Sequence, residues 1–165
     1  MANSAASPAT ATVSGTDADQ VLAACRLLVS ISVRSANAVE DEVTLPQLRM
    51  LVVIASHGPT TLSALAAATG QHLSNASRAC DRMVASGWVT RNEHPADRRR
   101  LQISLTPAGR RIVTKVSDAR RRMIMPILRR MPASGRVQLV AALTEFAEAG
   151  GEPTAADLWS LGWTT

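Results

Sequence analysis

Aromatic residues are scarce in this chain of 165 residues, which has one Phe, three Trp and no Tyr. Hydrophobic residues still make up 46% of the sequence, which is enough apolar material for a core. That core has to be built mainly from Leu, Val, Ile, Ala and Met. This composition favours packed helices over a β-sandwich, and we expect a mainly helical fold.

Cysteine is almost as rare, and the two cysteines, Cys25 and Cys80, are not in a C-x-x-C spacing. A disulfide framework is therefore not indicated, and the composition fits a reducing compartment. An unbroken run of about eighteen apolar residues is also missing, so no membrane span is expected. The first fifteen residues, "MANSAASPATATVSG", lack the basic start and apolar stretch of a signal peptide. We expect a cytoplasmic protein.

Patterns that carry catalysis or hold a cofactor are not found in the sequence. It has no Gly-rich phosphate loop, no paired acid and base carboxylates, and no activated nucleophile beside a His. Ser77 is near His72 in sequence, but no acidic residue is in place to orient the histidine. None of the three histidines has a second ligand four residues away on one helix face. We therefore predict no catalytic residue, no metal and no cofactor.

Positive charge is present in quantity but concentrated in one segment. Residues 78–130 hold 14 of the 18 Lys and Arg residues and 4 of the 13 acidic residues. This segment has a net charge of +10, whereas the rest of the chain has −5. Such a field indicates a polyanionic partner, with an acidic membrane surface as the weaker alternative.

Helical periodicity and stop signals divide the chain into five parts. Residues 1–17 are expected to be a disordered tail, and residues 18–43 a first helix with apolar residues on more than one face. A central unit is predicted over 44–106, where Thr44 and Gln47 form a capping box. Two further helices are expected over 107–149, with a kink at Pro126, and residues 150–165 form a second tail.

The central unit is predicted to hold three helices and a hairpin. Its third helix, over about residues 73–86, has apolar residues at helical spacing that form one buried face. These residues are Ala76, Cys80, Met83 and Val84. The short segments "WVTR" and "LQISL" then predict two strands around a charged loop. Thr106 and Pro107 begin the next helix.

Helix–turn–helix followed by a hairpin is the order of a winged helix–turn–helix, whose second helix lies in the DNA major groove. Asn can pair with adenine and Arg with guanine, so the polar face of the third helix is the predicted reading surface. Its candidate base contacts are Ser74, Asn75, Ser77 and Arg78, with His72 and Arg82 expected at phosphates.

The hairpin loop holds the candidate wing residues Asp97, Arg98, Arg99 and Arg100. Repulsion between neighbouring arginines is tolerable at an exposed tip, and the negative potential of the minor groove would relieve it. Asp97 provides one arginine with a local partner.

The stretch from Ser74 to Ile112 resembles the recognition helix and wing of MarR-type transcriptional regulators. The motifs that carry this resemblance are Asp81-Arg82-Met83, Gly87, Val89-x-Arg91, Asp97-x-Arg99 and Leu105-Thr106-x-x-Gly109. The resemblance extends over about residues 18–149 and implies a homodimer on a pseudo-palindromic double-stranded operator. The helices of 18–43 and 107–149 would form the dimer, and Arg99 would enter the minor groove with Asp97 orienting it.

The resemblance also implies a repressor that a lipophilic or phenolic effector releases from DNA. Some relatives sense peroxides through a cysteine in the first helix, but Cys25 lies in an apolar stripe and no Tyr is available to pair with a thiolate. Core packing is the preferred interpretation of both cysteines. The alternative function is a basic architectural or RNA-binding protein without sequence readout, which would bind unrelated duplexes equally.

Overall fold

The computed structural model describes residues 14–94 and 97–151, and for residue 94 and residues 97–100 it describes the backbone alone. Six α-helices and one hairpin follow each other over this part of the chain, and the fold is mainly α with a small β-hairpin, as predicted. The elements are α1 (Gly15–Ala36), a 3-10 turn (Asn37–Val39), α2 (Leu45–His57), α3 (Leu62–Thr69), α4 (Leu73–Ala85), β1 (Val89–His94), β2 (Asp97–Leu105), α5 (Pro107–Arg130) and α6 (Ala133–Ala149).

Helix α1 begins three residues earlier than the sequence indicated, inside the segment predicted to be a disordered tail. Ser14 and Asp17 form a capping box, in which the Ser14 amide donates to the Asp17 carboxylate at 2.9 Å. The two hydrogen bonds from Ser14, the backbone one first, hold the pKa of Asp17 below its ordinary value. The S-x-x-D pattern of this cap explains the early start.

The caps of the central helices include the capping box predicted at Thr44 and Gln47, which the structure confirms. The Thr44 amide donates to Gln47 Oε1 at 3.0 Å, which closes the capping box of α2. Thr61 accepts a hydrogen bond from the Ala64 amide at 3.3 Å and caps α3. Gly70 ends α3 in the left-handed region with φ 66°, a conformation that costs glycine little. The turn to α4 is therefore tight and defined.

The hairpin is antiparallel, and its register pairs Val89 with Leu105 and Arg91 with Ile103. Thr60, between α2 and α3, adds one further antiparallel bridge to Ile103 through hydrogen bonds of 3.0 and 2.7 Å. The base of the hairpin is thus fastened to the helical unit.

A single apolar core joins α2, α3, α4, the hairpin base and the inner side of α5. Among its fully buried side chains are Met50, Leu51, Leu65, Met83 and Ile103. The predicted buried face of α4 was wrong in one position, because Val84 is 38% exposed and Ala79 is buried in its place. The buried residues Ala76, Ala79, Cys80 and Met83 follow the i, i+3, i+4, i+7 spacing of a narrow apolar stripe.

Helix α5 is continuous from Pro107 to Arg130, and Pro126 lies inside it without ending it. Arg136 then donates to the carbonyls of Met131, at 3.1 Å, and Leu128, at 3.4 Å, and so links the end of α5 to α6. Helix α6 itself buries none of its residues.

The two flanking helices α1 and α6 leave large apolar side chains exposed. On α1 these are Val21, Leu22, Leu27, Leu28, Val29 and Val33, and on α6 they are Val137, Val140, Leu143 and Phe146. The segment Gly15–Val39 is also long and apolar enough to cross a membrane, by length and composition alone. Length and composition do not separate a spanning helix from one that packs against protein.

Candidate nucleic-acid interface

The polar face of α4 lies at the surface, as a reading surface requires. His72 stands at the N-cap, and it is exposed together with Ser74, Asn75, Arg78 and Arg82, whereas Ser77 is half-buried. Because Ala76, Ala79, Cys80 and Met83 anchor the opposite side in the core, the helix cannot rotate without losing that packing. The fold therefore brings the predicted α4 residues together on one fixed, exposed face.

Two of these residues already contact each other. Arg78 Nη2 donates to Asn75 Oδ1 at 2.7 Å, across one turn of α4. This hydrogen bond occupies the Asn75 acceptor but leaves the Asn75 amide hydrogens and the other guanidinium donors available. Asn75 and Arg78 thus form a pre-oriented pair whose remaining donors point away from their shared contact.

An ion pair joins α4 to the first strand of the hairpin. Arg91 Nη1 lies 2.7 Å from Asp81 Oδ1. The Cys80 side chain, which is the larger cause, and the hydrogen bond with Asp81 raise the pKa of Arg91 above its ordinary value. The sequence did not indicate this partnership, although both residues belong to the motifs that resemble MarR-type regulators. The ion pair links α4 to the hairpin.

The Leu-Thr-x-x-Gly motif forms a second junction, which the sequence reading treated only as a helix start. The Thr106 hydroxyl donates to the Gly87 carbonyl at 2.6 Å and accepts from the Gly109 amide at 3.1 Å, while the Thr106 amide donates to the Trp88 carbonyl at 3.0 Å. A Cβ atom on Gly109 would lie 2.1 Å from the Trp88 carbonyl oxygen. Only glycine allows α5 to approach the end of α4 this closely.

The tip of the hairpin lies partly outside the described residues. The backbone places residues 97–100 at the start of β2, and nothing is described of the side chains of Asp97, Arg98, Arg99 and Arg100. Their assignment to the wing therefore remains a prediction. The strands themselves place this end of the hairpin opposite the base that Thr60 and Thr106 fasten.

A cavity of about 320 Å³ lies on another side of the central unit, between α1, α2, α3 and α5. Its walls are mostly apolar, with Val33, Leu48, Val52 and Val116 among the lining residues. A larger open cleft of about 710 Å³ runs along the start of α5 beside Trp88 and Glu42. Among the described residues, no group of three or more His, Cys, Asp or Glu side chains could hold a metal ion.

A helix–turn–helix with an exposed polar second helix, followed by a hairpin, defines a winged-helix DNA-binding protein. Residues 42–100 match the model of the MarR family. RV1404 from Mycobacterium tuberculosis is 42% identical in sequence to this chain, and its crystal structure matches the fold with a TM-score of 0.73. The match covers 87% of this chain and 99% of that one. The chain belongs to the MarR family of DNA-binding transcriptional regulators, and it is not an enzyme.

Two further comparisons concern the fold and one part of the chain. The structure of the transcriptional regulator Tm0710 from Thermotoga maritima shares the fold with a TM-score of 0.67 and 23% identity, over 81% of this chain and 94% of that one. The HTH-type transcriptional regulator YfiV of Bacillus subtilis is 32% identical over 71 residues, 43% of this chain. The chain spans less than half of the length of that curated relative, since the match covers 44% of it.

Proposed function

We propose that this regulator acts as a homodimer, reads a pseudo-palindromic operator and represses transcription in the cytoplasm. The proposal rests on one observation, which is that the same chain has two different exposed surfaces. An anchored helix presents polar side chains, and two flanking helices present apolar side chains that residues 14–94 and 97–151 leave exposed. A dimer joined through the flanks would present two reading helices to successive half-sites of DNA.

The roles of the α4 residues follow from their chemistry and position. Asn75 can pair with adenine and Arg78 with guanine, and Ser74 and Ser77 can donate or accept at either base. His72 at the N-cap and Arg82 near the far end of α4 would contact phosphates on either side of the groove. The hydrogen bond between Arg78 and Asn75 supports a joint role, since it orders both side chains before DNA arrives.

The wing roles rest on sequence. Arg99 would enter the minor groove with Asp97 orienting it, and Arg98 and Arg100 would strengthen the positive potential of the tip. Replacing Arg99 by Ala is expected to reduce affinity for the operator strongly and to leave the melting temperature unchanged. Unchanged operator binding by this variant would refute the wing assignment.

Dimerisation would use α1 and α6, whose exposed apolar side chains need a partner surface. We assign this surface to a second copy rather than to a membrane, because Arg26 and Arg34 interrupt the apolar surface of α1 and because helix–turn–helix dimers bind paired half-sites. Domains 18–43 and 107–149 would then be the dimerisation helices, and residues 44–106 the DNA-binding domain. Sedimentation or light scattering of the purified chain measures this directly.

Repression would be steric, with two helices in successive major grooves and two wings in the flanking minor grooves. A small lipophilic or phenolic effector would bind in the cavity of about 320 Å³, which separates α1 and α5 from α2 and α3. A shift of a few Å between the two reading units would weaken both half-site contacts together. A distance between units that stays constant in solution with every effector found would exclude this mechanism.

The decisive experiment is fluorescence anisotropy of the purified protein against the DNA upstream of its own gene. An unrelated duplex of equal length is the control, and salt concentration is varied. A preference of about a thousandfold or more, with a steep salt slope, is the expected result for a specific regulator. Equal affinity for both duplexes, and for duplexes selected from a random library, would instead support the architectural function.

A further inference from the structure

Leu73 is a large apolar side chain at the otherwise polar start of the reading helix. It is the first residue of α4, and it is 55% exposed. Its neighbours His72, Ser74 and Asn75 are exposed polar residues. The apolar core of α4 begins one turn later at Ala76, which is fully buried. Leu73 therefore lies outside the core, among the side chains that we assign to DNA.

The position of Leu73, rather than its exposure, is the informative observation. Single exposed leucines are common on protein surfaces, and a surface that docks another protein needs a larger contiguous apolar patch. In a helix–turn–helix, the N-terminal residues of the second helix contact base edges. Helical side chains also lean towards the N-terminus of their helix, so the Leu73 side chain leans to the end of α4 that would enter the groove.

Val84 provides a comparison within the same helix. It is 38% exposed, and it follows Leu73 about three turns later on the same side of α4. The two residues are both apolar and exposed, but they are separated by about 16 Å along the helix axis. Val84 lies at the end of α4 that leads to the hairpin, so it is too far along the helix to share a base contact with Leu73.

We propose that Leu73 contacts the C5-methyl group of a thymine in each half-site of the operator and so contributes to base recognition. This inference rests on the proposed sequence-specific function and adds a specificity-determining residue to it. The methyl group of thymine lies in the major groove, and proteins recognise it through apolar contacts. Ser74 and Asn75 recognise hydrogen-bonding groups instead, so Leu73 supplies a different kind of contact from the same turn.

Asn75 and Leu73 complement each other at A·T base pairs. Asn75 accepts from Arg78 Nη2 at 2.7 Å through Oδ1, and its amide hydrogens remain available for adenine. Because both residues belong to the first turn of α4, their contacts fall on the same or adjacent base pairs. We therefore expect each half-site to have an A·T pair at the position that the start of α4 contacts.

Exchange of thymine for uracil tests the proposal, because uracil keeps the hydrogen-bonding groups of thymine and lacks the methyl group. The full-length protein first selects a preferred duplex from a random library, and each thymine of that duplex is then replaced singly by deoxyuridine. Fluorescence anisotropy should show one position in each half-site at which the exchange weakens binding about fourfold, the effect of one buried methylene-sized group. In Leu73→Ala the same exchange should leave the affinity almost unchanged, and Leu73→Met should retain most of the difference.

The matched control is Val84→Ala, which shortens an exposed apolar side chain of the same helix and should keep the full fourfold difference. Thermal melting of each variant checks that the fold is intact. If no thymine is sensitive to the exchange, or if Leu73→Ala keeps the full difference, the assignment of Leu73 is wrong and the sequence-specific function still stands. A selection that enriches no sequence would overturn the proposed function and this inference together.

Discussion

The winged unit and its flanking helices differ in how far their apolar side chains are buried within the described part of the chain. The unit formed by α2, α3, α4 and the hairpin buries its apolar residues around Leu51, Leu65 and Met83. Hydrogen bonds of Thr106 and the ion pair of Arg91 link its elements. Helix α6 buries none of its residues, and α1 buries only Ile31 and Ser35. Within the described residues, the winged unit therefore has a buried core, whereas α1 and α6 expose apolar side chains of the kind that form a core.

This difference in burial indicates which substitutions each region should tolerate. At the junction of the winged unit with α5, single atoms decide the geometry, as the 2.1 Å distance from a Cβ of residue 109 to the Trp88 carbonyl shows. In α1 and α6, large apolar side chains remain exposed within the described part of the chain. Substitutions that act through a second copy should therefore concentrate in the flanks.

The largest effect is expected from Phe146→Glu in α6. Phe146 is 62% exposed, so a charge there costs little within one chain but would be buried in the proposed dimer. We expect dissociation to monomers and loss of operator affinity by about a hundredfold or more, because linked half-site binding gains 10²- to 10⁴-fold in avidity. Light scattering and anisotropy measure the two quantities.

The matched control for this substitution is Glu148→Gln, an exposed polar change on the same helix. It should alter neither mass nor operator affinity. A Phe146→Glu protein that remains dimeric would show that α6 is not part of the dimer interface and would weaken the contrast between the two regions.

Two glycine substitutions should change the free energy of unfolding in opposite directions, one at the junction of α5 with the winged unit and one in α6. Gly109→Ala forces a Cβ against the Trp88 carbonyl, and we expect a loss of about 1–3 kcal/mol in the free energy of unfolding, the range for overpacking. Gly135→Ala in α6 meets no atom closer than 3.8 Å and should stabilise its helix by up to about 1 kcal/mol. Urea unfolding measures both. Equal effects would show that the backbone can relax around residue 109.

Sequence reasoning predicted the winged unit well because its signals are local. The capping box at Thr44 and Gln47 follows from short-range chemistry, and the structure confirms it. The early start of α1 was missed, although its capping box at Ser14 and Asp17 was visible. The exposure of Val84 was missed because the breadth of a buried face depends on which neighbours pack there, and periodicity does not give those neighbours.

The junctions of the candidate site could not be derived from spacing alone. Asp81 and Arg91 are ten positions apart in different elements, and their contact requires the angle between α4 and the hairpin. The close approach of Gly109 to Trp88 likewise exists only after α5 has folded back. The cavity beside Arg120 is formed by four helices, so no single stretch of sequence indicates it.

Arg78 tests whether the reading face acts as a pair of residues or as separate contacts. Replacing Arg78 by Ala should reduce discrimination at one base pair of the operator by about 1–3 kcal/mol, or roughly 5- to 150-fold. Because Arg78 donates to Asn75, the double variant with Asn75→Ala should lose less than the sum of the two single losses. Anisotropy on a set of operators with single base changes measures the cycle. Strict additivity would show that the 2.7 Å contact has no role on DNA.

The smallest effect is expected at the ion pair between α4 and the hairpin, and it compares the two regions once more. Asp81 is 55% exposed and Arg91 30% exposed, so solvent screens the pair, and Asp81→Asn should lower the free energy of unfolding by less than about 1 kcal/mol. Asp118→Asn breaks the pair with Arg121 within α5 and should cost about 0.2–0.5 kcal/mol. The two variants should separate in operator affinity instead, because only Asp81 sets the angle of the wing relative to α4. A drop in operator affinity for Asp81→Asn alone would mean that this weak contact affects DNA binding through the angle between α4 and the wing. Equal affinity for both variants would mean that the core and Thr106 already fix that angle.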